Sequence, residues 1–206
     1  MSGIVVRLLV ASALLAAAFS ATAQPQLAAG ANLKAHAAAL GAGQAAQPVV
    51  YRTKKGQKFS VYLTGYSFWD NTPPGSAAIA RPVIRQRAGG SGTYSDPITI
   101  AVGHSFATGR QELDFPAGTR FYFPALRRYA IVEDVCGDGP SPQNGPCHVG
   151  YNGMPWLDIY VDGSGAGPHA ANACMRQITG IHEVIVAPPK GSPVVAGPLT
   201  ESGCVI

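Results

Sequence analysis

From Val49 onward, short runs rich in β-branched and aromatic residues alternate with segments rich in glycine and proline. This pattern is typical of short strands joined by turns. It predicts six strands, at Phe59–Leu63, Ile98–Val102, Arg120–Phe123, Tyr129–Val135, Leu157–Val161 and His182–Val186. One short helix is predicted at Ala170–Ile178, because Gly180 follows directly and favours a helix end. Six short strands and one helix indicate a mainly β domain, built as a small barrel or sandwich with long Gly/Pro loops.

The N-terminus has the three parts of a secretory signal peptide. Arg7 is the only charged residue before residue 34, and an apolar run from Leu8 to Phe19 follows it. Ala21-Thr22-Ala23 then gives a small-x-small cleavage pattern. We therefore assign residues 1–23 to a signal peptide. The protein is expected to be secreted, or periplasmic in a Gram-negative bacterium, with no membrane-spanning segment.

Residues 24–48 differ in composition from the rest of the chain. They are rich in alanine and have too few large apolar side chains to build a core. This composition favours a flexible leader. The remaining residues, 49–206, have the length of one domain and are predicted to form the β-barrel domain with a C-terminal tail.

The four cysteines all follow the leader, which favours two disulfides in an exported protein. Three pairings are possible. We favour Cys136 with Cys147, because the turn-rich segment between them would bring its ends together, which leaves Cys174 with Cys204. No Cys-x-x-Cys or His-x-x-x-His spacing occurs, so neither a metal nor another cofactor is predicted.

Charge narrows the range of partners only slightly. Without Arg7, 14 basic and 11 acidic residues remain, and the basic residues are scattered. No basic helix or nucleic-acid motif is present, so no nucleic-acid partner is expected. A mildly basic protein would be attracted to a polyanionic matrix such as an acidic cell wall.

Two aspartates lie close to the only two tryptophans in the chain. Asp70 directly follows Trp69, and Asp158 comes two residues after Trp156. An acid beside an aromatic platform suits chemistry on a sugar, because the ring stacks on the pyranose face and desolvation raises the pKa of the acid. The alternative is that both are turn or strand aspartates that happen to lie near bulky residues.

Three motifs, in order, resemble the core of double-psi β-barrel proteins: Phe115–Pro124 with its Gly-Thr step, Tyr129–Asp134, and Trp156–Val161. The resemblance is to the aspartate-rich barrel domain of bacterial peptidoglycan lytic transglycosylases, to family 45 endoglucanases and to expansins. In the last two, an aromatic-Asp-Leu motif precedes a Gly-rich stretch and Asn-x-Cys. The matching run here is Leu157-Asp158-Ile159, Gly163–Gly167 and Asn172-Ala173-Cys174, and Phe68-Trp69-Asp70 resembles the first endoglucanase motif. The resemblance implies a six-stranded double-psi β-barrel.

The endoglucanase resemblance implies a two-carboxylate mechanism on a cell-wall polysaccharide. Asp158 would be the general acid and Asp70 the base that activates water. Asp134 would orient or electrostatically tune Asp158, although a strand-end cap is an equal interpretation. His104, which follows a predicted strand, is a further candidate for lining the groove.

The other relatives imply different functions for the same barrel. In a lytic transglycosylase mechanism Asp158 alone suffices, and an anhydro-sugar product results. In a non-catalytic, expansin-like wall-binding module, an aromatic strip would bind the glycan through Trp69, Trp156, Tyr66 and Tyr151. An inhibitor or effector on the same scaffold is a third possibility. In each case the protein is expected to act as a monomer on polysaccharide.

Overall fold

The structure is a computed structural model that describes residues 50–204. The assigned signal peptide and leader lie outside the described residues. These described residues contain eight strands: β1 Lys58–Tyr66, β2 Ile98–Val102, β3 His104–Ser105, β4 Glu112–Leu113, β5 Arg120–Phe123, β6 Arg128–Val135, β7 Trp156–Tyr160 and β8 Gly180–Val186. The helices are α1 Pro146–Val149, α2 Pro168–Ile178 and a 3-10 turn at Pro142–Asn144.

Six of these strands close into a barrel in the order β1-β7-β2-β6-β5-β8. These are the six predicted strands, so the mainly β class and the barrel are confirmed. The predicted bounds of β2 and β5 agree with the structure, and the helix begins at Pro168 rather than Ala170. The β3–β4 hairpin and α1 were not predicted, because elements of two to four residues are too short to show a periodic pattern.

The barrel interior is filled by alternate side chains of its strands. In β1 the buried residues include Phe59, Val61 and Leu63, and in β7 they include Leu157 and Ile159. Because side chains of a strand alternate between its two faces, the residues between these point away from the barrel interior. The apolar positions therefore build the core, and the polar positions between them are available for a site on the outer face.

Helix α2 covers the outer face of the barrel beside β1. Its Ala171, Cys174 and Ile178 are buried. Gly65 permits this close packing, since a Cβ at that position would lie 2.9 Å from a methyl group of Val161 and 3.0 Å from one of Ile178. Within the described part of the chain, no helix is long and apolar enough to cross a bilayer.

Strand register aligns four polar or small residues across the sheet. Thr64 of β1 is opposite Asp158 of β7, Asp158 is opposite Ala101 of β2, and Ala101 is opposite Asp134 of β6. The pairing of β2 with β6 shifts by one residue between Ile100 and Ala101. This irregularity is what brings Asp134, rather than the preceding glutamate, into register with Ala101.

The long connection between β1 and β2 is fastened to the barrel by Glu133, which is fully buried. Its Oε1 accepts hydrogen bonds from the backbone N–H groups of Val83, Ile84 and Arg85 at 3.2, 2.7 and 3.2 Å. The Arg85 guanidinium is 3.3 Å from Glu133 Oε2 and 2.6 Å from Asp96. The buried carboxylate therefore holds the connection in one conformation beside the strand that carries Asp134.

Both disulfides have the pairing that the sequence favoured. Cys136 is bonded to Cys147, and Cys174 is bonded to Cys204. The first bridge closes the turn-rich loop after β6, and the second joins α2 to the C-terminal tail. Each bridge is expected to stabilise the fold by about 2–4 kcal/mol.

Candidate functional site

An open groove with a volume of about 390 Å³ lies over the aligned polar residues. Asp70, Asp134 and Asp158 all contribute to its lining, together with Tyr66 and Ala101. We call this the carboxylate groove. The three aspartates named as candidates from the sequence therefore share one groove. Ala101 lies between Asp158 and Asp134 in the sheet, and its small side chain leaves the space above it open.

Asp158 is held by a chain of two hydrogen bonds. The Trp156 indole Nε1 donates to Thr64 Oγ1 at 2.8 Å, and the Thr64 hydroxyl donates to Asp158 Oδ1 at 2.7 Å. Burial, together with the negative charges of Asp70 and Asp134, raises the pKa of Asp158 to about 7, against the lowering effect of the Thr64 hydrogen bond. Asp158 is therefore a carboxyl group that takes up and releases its proton near neutral pH.

Asp134 is more rigidly fixed than Asp158. Its Oδ1 accepts from the backbone N–H groups of Ala80 and Val135, both at 2.9 Å, and its Oδ2 accepts from the Tyr66 hydroxyl at 2.9 Å. Burial raises the pKa of Asp134, and these three hydrogen bonds oppose that shift. Burial and the adjacent Asp134 carboxylate also raise the pKa of Tyr66 well above its usual value. With its oxygens so occupied, Asp134 is placed to fix the site and to act on Asp158 through its charge.

Asp70 is exposed and belongs to the loop that follows β1. Its Oδ1 accepts two hydrogen bonds of 2.7 Å, from the backbone N–H and the hydroxyl of Ser67. Among the described residues, no hydrogen bond engages its second oxygen. Asp70 thus has a fixed orientation and one carboxylate oxygen available to a water molecule or a substrate hydroxyl.

The sequence analysis missed a fourth carboxylate, Asp138, which also lines the groove. Asp138 Oδ2 accepts a 3.2 Å hydrogen bond from the hydroxyl of Thr72, which comes from the opposite loop. Its position in the sequence could have suggested this, because Asp138 comes four residues after Asp134 and lies inside the loop closed by the Cys136–Cys147 bridge.

Neither tryptophan is among the residues that line the carboxylate groove. Trp69 is 38% exposed and donates from its indole to the carbonyl of Gly163 at 2.8 Å. Trp156 turns its N–H toward Thr64 and so supports the acid rather than forming the groove wall. Neither tryptophan therefore stacks over the groove, although Trp156 is linked to Asp158 through Thr64.

An aromatic strip formed by Tyr151, Tyr62 and Trp156 lies beside the groove. Trp69 and Tyr66, which the sequence placed in such a strip, pack instead against Phe68 and Tyr160. The Tyr151 and Tyr62 rings stack with centroids 4.3 Å apart, and Tyr62 meets Trp156 edge to face at 4.7 Å. Tyr151 is 40% exposed. Tyr62 was missed, although it occupies the register position opposite Trp156. Trp156 lies at the end of the strip, and its hydrogen bond to Thr64, which in turn donates to Asp158, connects the strip with the acid.

His104, a candidate for lining the groove, is not among the residues that line it. His104 is buried, and its ring contacts the carbonyl of Gly137 at 2.9 Å and the amide nitrogen of Gln111 at 2.7 Å. The Gln111 amide donates to Nδ1, so Nε2 carries the proton and donates to Gly137. His104 therefore supports the groove-lining backbone at Gly137. His148 and Asp114 form a separate buried pair, with His148 Nδ1 2.6 Å from Asp114 Oδ1.

No group of three or more His, Cys, Asp or Glu side chains in residues 50–204 has an arrangement that would hold a metal ion. The carboxylates of the groove accept hydrogen bonds from hydroxyl and backbone N–H donors.

The fold and the site together define a closed six-stranded barrel protein with a carboxylate-lined groove. A family model described as "DDB_G0273701 N-terminal domain" matches residues 57–205, and the chain belongs to this family. Over 95 residues the chain is 36% identical to an uncharacterized Dictyostelium discoideum protein, DDB_G0273701/DDB_G0273221. That alignment covers 45% of this chain and 38% of the Dictyostelium protein. No solved structure matches the chain.

Proposed function

We propose that this protein is a double-psi β-barrel enzyme that cleaves glycosidic bonds in a cell-wall polysaccharide, with Asp158 as the general acid. One observation carries the proposal: a carboxyl group with a pKa of about 7 lies in an open groove that three further carboxylates also line. A raised pKa keeps an acid protonated at the pH at which it must donate. The Dictyostelium relative is uncharacterized, so the proposal depends on the site alone.

The strand order supports the double-psi topology. Two neighbouring pairs in the barrel are parallel, β1 with β7 and β2 with β6. Among the six barrel strands, β1 and β2 follow each other along the chain, but β7 lies between them in the sheet. In the same way, β2 and β5 follow each other along the chain, and β6 lies between them in the sheet. Two such insertions are the kind of crossover connection that the proposed double-psi topology contains.

The hydrogen bonds of Asp158 identify which oxygen would deliver the proton. Because Oδ1 accepts from the Thr64 hydroxyl, the proton of the neutral acid belongs on Oδ2. A glycosidic oxygen bound over Ala101 would receive that proton as its bond to the anomeric carbon breaks. The ionised Asp158 that results is stabilised by the Thr64 hydroxyl.

Asp70 is the best candidate for the base in an inverting hydrolysis. One of its oxygens is fixed by Ser67, and the other is available to orient and deprotonate water. Asp134 accepts a hydrogen bond from the Tyr66 hydroxyl, and its negative charge disfavours ionisation of Asp158. In the single-aspartate alternative, the substrate's own hydroxyl takes the place of water, and Asp70 is dispensable.

Analysis of the products from a panel of cellulose, other β-glucans, chitin and peptidoglycan tests the proposal. New reducing ends would indicate hydrolysis, and anhydro-sugars would indicate transglycosylation. Asp158→Asn should lower the rate by at least roughly 100-fold while substrate binding is retained. Asp162→Asn, at a nearby carboxylate outside the groove lining, is the matched control. If no substrate yields products, or if Asp158→Asn retains the wild-type rate, the enzymatic proposal is wrong.

The aromatic strip favours a second candidate function, a non-catalytic wall-binding module. Stacked Tyr151 and Tyr62 with Trp156 form a platform of the kind that binds sugar rings. In that case Tyr151→Ala would abolish binding to insoluble polysaccharide, and Asp158→Asn would have no effect on any wall-directed activity. The two disulfides are compatible with the export that either function requires, because such bonds persist in oxidising compartments.

A further inference from the structure

A second cavity, of about 570 Å³, lies where β5 and the end of β8 meet, and it shares no lining residue with the carboxylate groove. Lys55, Arg120 and Lys190 line it, together with Tyr94 and Thr53. We call it the cationic pocket. Its lining, all of it within the described residues, contains no aspartate or glutamate. Its volume falls in the range typical of small-ligand sites.

Two of the cations converge on one aromatic ring. The Arg120 guanidinium carbon lies 5.0 Å from the centroid of Tyr94, and the Lys190 ammonium lies 5.2 Å from it. Arg120 Nη1 also donates to the Tyr94 carbonyl at 2.6 Å. Within residues 50–204, neither these two side chains nor Lys55 forms a salt bridge. The pocket thus concentrates positive charge that the protein itself does not neutralise.

The walls of the pocket are fixed in advance of any ligand. Pro188 and Pro189 restrict the backbone before Lys190, and the Pro189 carbonyl accepts a 2.8 Å hydrogen bond from Tyr129. The buried Tyr129 ring packs edge to face against Tyr94 with centroids 5.3 Å apart. The side chains that carry the positive charge are therefore anchored on ordered backbone, and binding would require little reordering.

We infer that the cationic pocket binds an oxyanion, a carboxylate or phosphate group, carried by a small or oligomeric ligand. An oxyanion between Lys190, Lys55 and Arg120 would relieve the repulsion among the three cations. The guanidinium suits such a ligand because its fork of N–H donors matches carboxylate and phosphate oxygens. This inference does not depend on the proposed catalytic function.

Calorimetric titration of the full chain with trigalacturonate and with inorganic pyrophosphate tests the inference and distinguishes the two anions. Methyl-esterified trigalacturonate, which keeps the sugar rings and removes the charge, is the matched ligand control. At least one anion should bind saturably, and its affinity should fall as the salt concentration rises. Binding should be unchanged in Asp158→Asn, because Asp158 lies in the other cavity.

Lys190→Gln should weaken binding of that anion by about 5-fold, and the Lys55→Gln, Lys190→Gln double variant should weaken it by roughly 20-fold. Lys54→Gln removes the same charge from an exposed neighbour outside the pocket lining and should have less than about a 2-fold effect. Equal effects of Lys54→Gln and Lys190→Gln would mean general charge attraction and would overturn the inference. Equal binding of the ester, or no saturable binding of either anion at millimolar concentration, would also overturn it.

Discussion

Thr64 and Asp158 lie opposite each other on two parallel strands, and the Thr64 hydroxyl donates a 2.7 Å hydrogen bond to Asp158 Oδ1. The same hydroxyl accepts from the Trp156 indole, so its proton is directed toward the carboxyl group. This contact stabilises the ionised form of Asp158, whereas burial and the charges of Asp70 and Asp134 favour the neutral form. The balance of these effects sets the pH at which Asp158 titrates, and each effect can be tested separately.

Removing the Thr64 hydroxyl should raise the pKa of Asp158 further above its value of about 7. Thr64→Val preserves the shape and the β-branched side chain while deleting the donor that favours the carboxylate. The shift is measured by carbon NMR of the labelled Asp158 carboxyl as a function of pH. Thr64→Ser keeps the hydroxyl and serves as the control. A lower or unchanged pKa in Thr64→Val would show that the hydrogen bond does not favour the ionised acid.

Removing a neighbouring charge should move the same pKa in the opposite direction. Asp134→Asn keeps an acceptor for the Ala80 and Val135 N–H groups but removes the repulsion that disfavours ionised Asp158. Asp70→Asn should act in the same direction, and the larger shift is expected for Asp70, whose charge has the larger effect on Asp158. The same NMR titration measures both, and an unchanged pKa in both variants would place the carboxylates too far apart to cooperate.

The stability of the protein should fall as the pH rises through the neutral range. Asp158 has a pKa of about 7 in the folded state and about 4 when unfolded. Between pH 4 and pH 7 the folded state therefore binds more protons than the unfolded state, and stability falls as the pH rises. Above pH 7 the stabilisation from this bound proton is lost, because the folded protein must then hold an ionised, partly buried carboxylate. Asp158→Asn should therefore be more stable than the wild type at pH 8 by about 2 kcal/mol, with solvent access to the groove taken into account.

Denaturant unfolding of both proteins at several pH values between 4 and 8 measures this difference. The gain from Asp158→Asn should shrink steadily as the pH is lowered, because at low pH the wild-type carboxyl is neutral in both states. A difference that is independent of pH would mean that the substitution acts through packing rather than through titration.

Glu133→Gln should weaken the connection that forms one side of the groove. The neutral amide cannot pair with Arg85, and one of its two polar atoms is a donor where Glu133 Oε2 now accepts. We expect the free energy of unfolding to fall by about 2–3 kcal/mol. This is less than for a fully buried ion pair, because Arg85 keeps its salt bridge with Asp96. Urea unfolding measures the loss. Glu183→Gln, which removes the partner of Lys58 on the surface, should change stability by less than about 0.5 kcal/mol.

Much of the barrel follows from local sequence pattern. Ile98–Val102 and Arg120–Phe123 are short, rich in β-branched or aromatic residues and bounded by turn residues, and the strands have those bounds. The disulfide between Cys136 and Cys147 could also be predicted from the sequence, because the ten residues between them favour turns. In these cases neighbours along the chain supply the physical constraint, so the sequence contains the information.

The chemistry of the site depended on contacts between residues distant in sequence. Asp158 and Asp70 could be named as candidates, but the hydrogen bond from Thr64 spans 94 positions and arises from parallel strand register. Trp156 looked like a sugar platform in the sequence, and only the fold shows that its N–H supports the acid through Thr64. His104 likewise became a buried support for Gly137.

Sequence by itself indicated the six barrel strands, favoured one pairing of the cysteines and marked the aspartates worth following, because period, turn content and residue type are local properties. Tertiary structure decided which carboxylates share a groove, which of them is buried enough to hold a proton, and that Lys55, Arg120 and Lys190 form a second, cationic pocket. Desolvation and charge repulsion depend on distances across the barrel, and strand order and register set those distances only when the barrel closes.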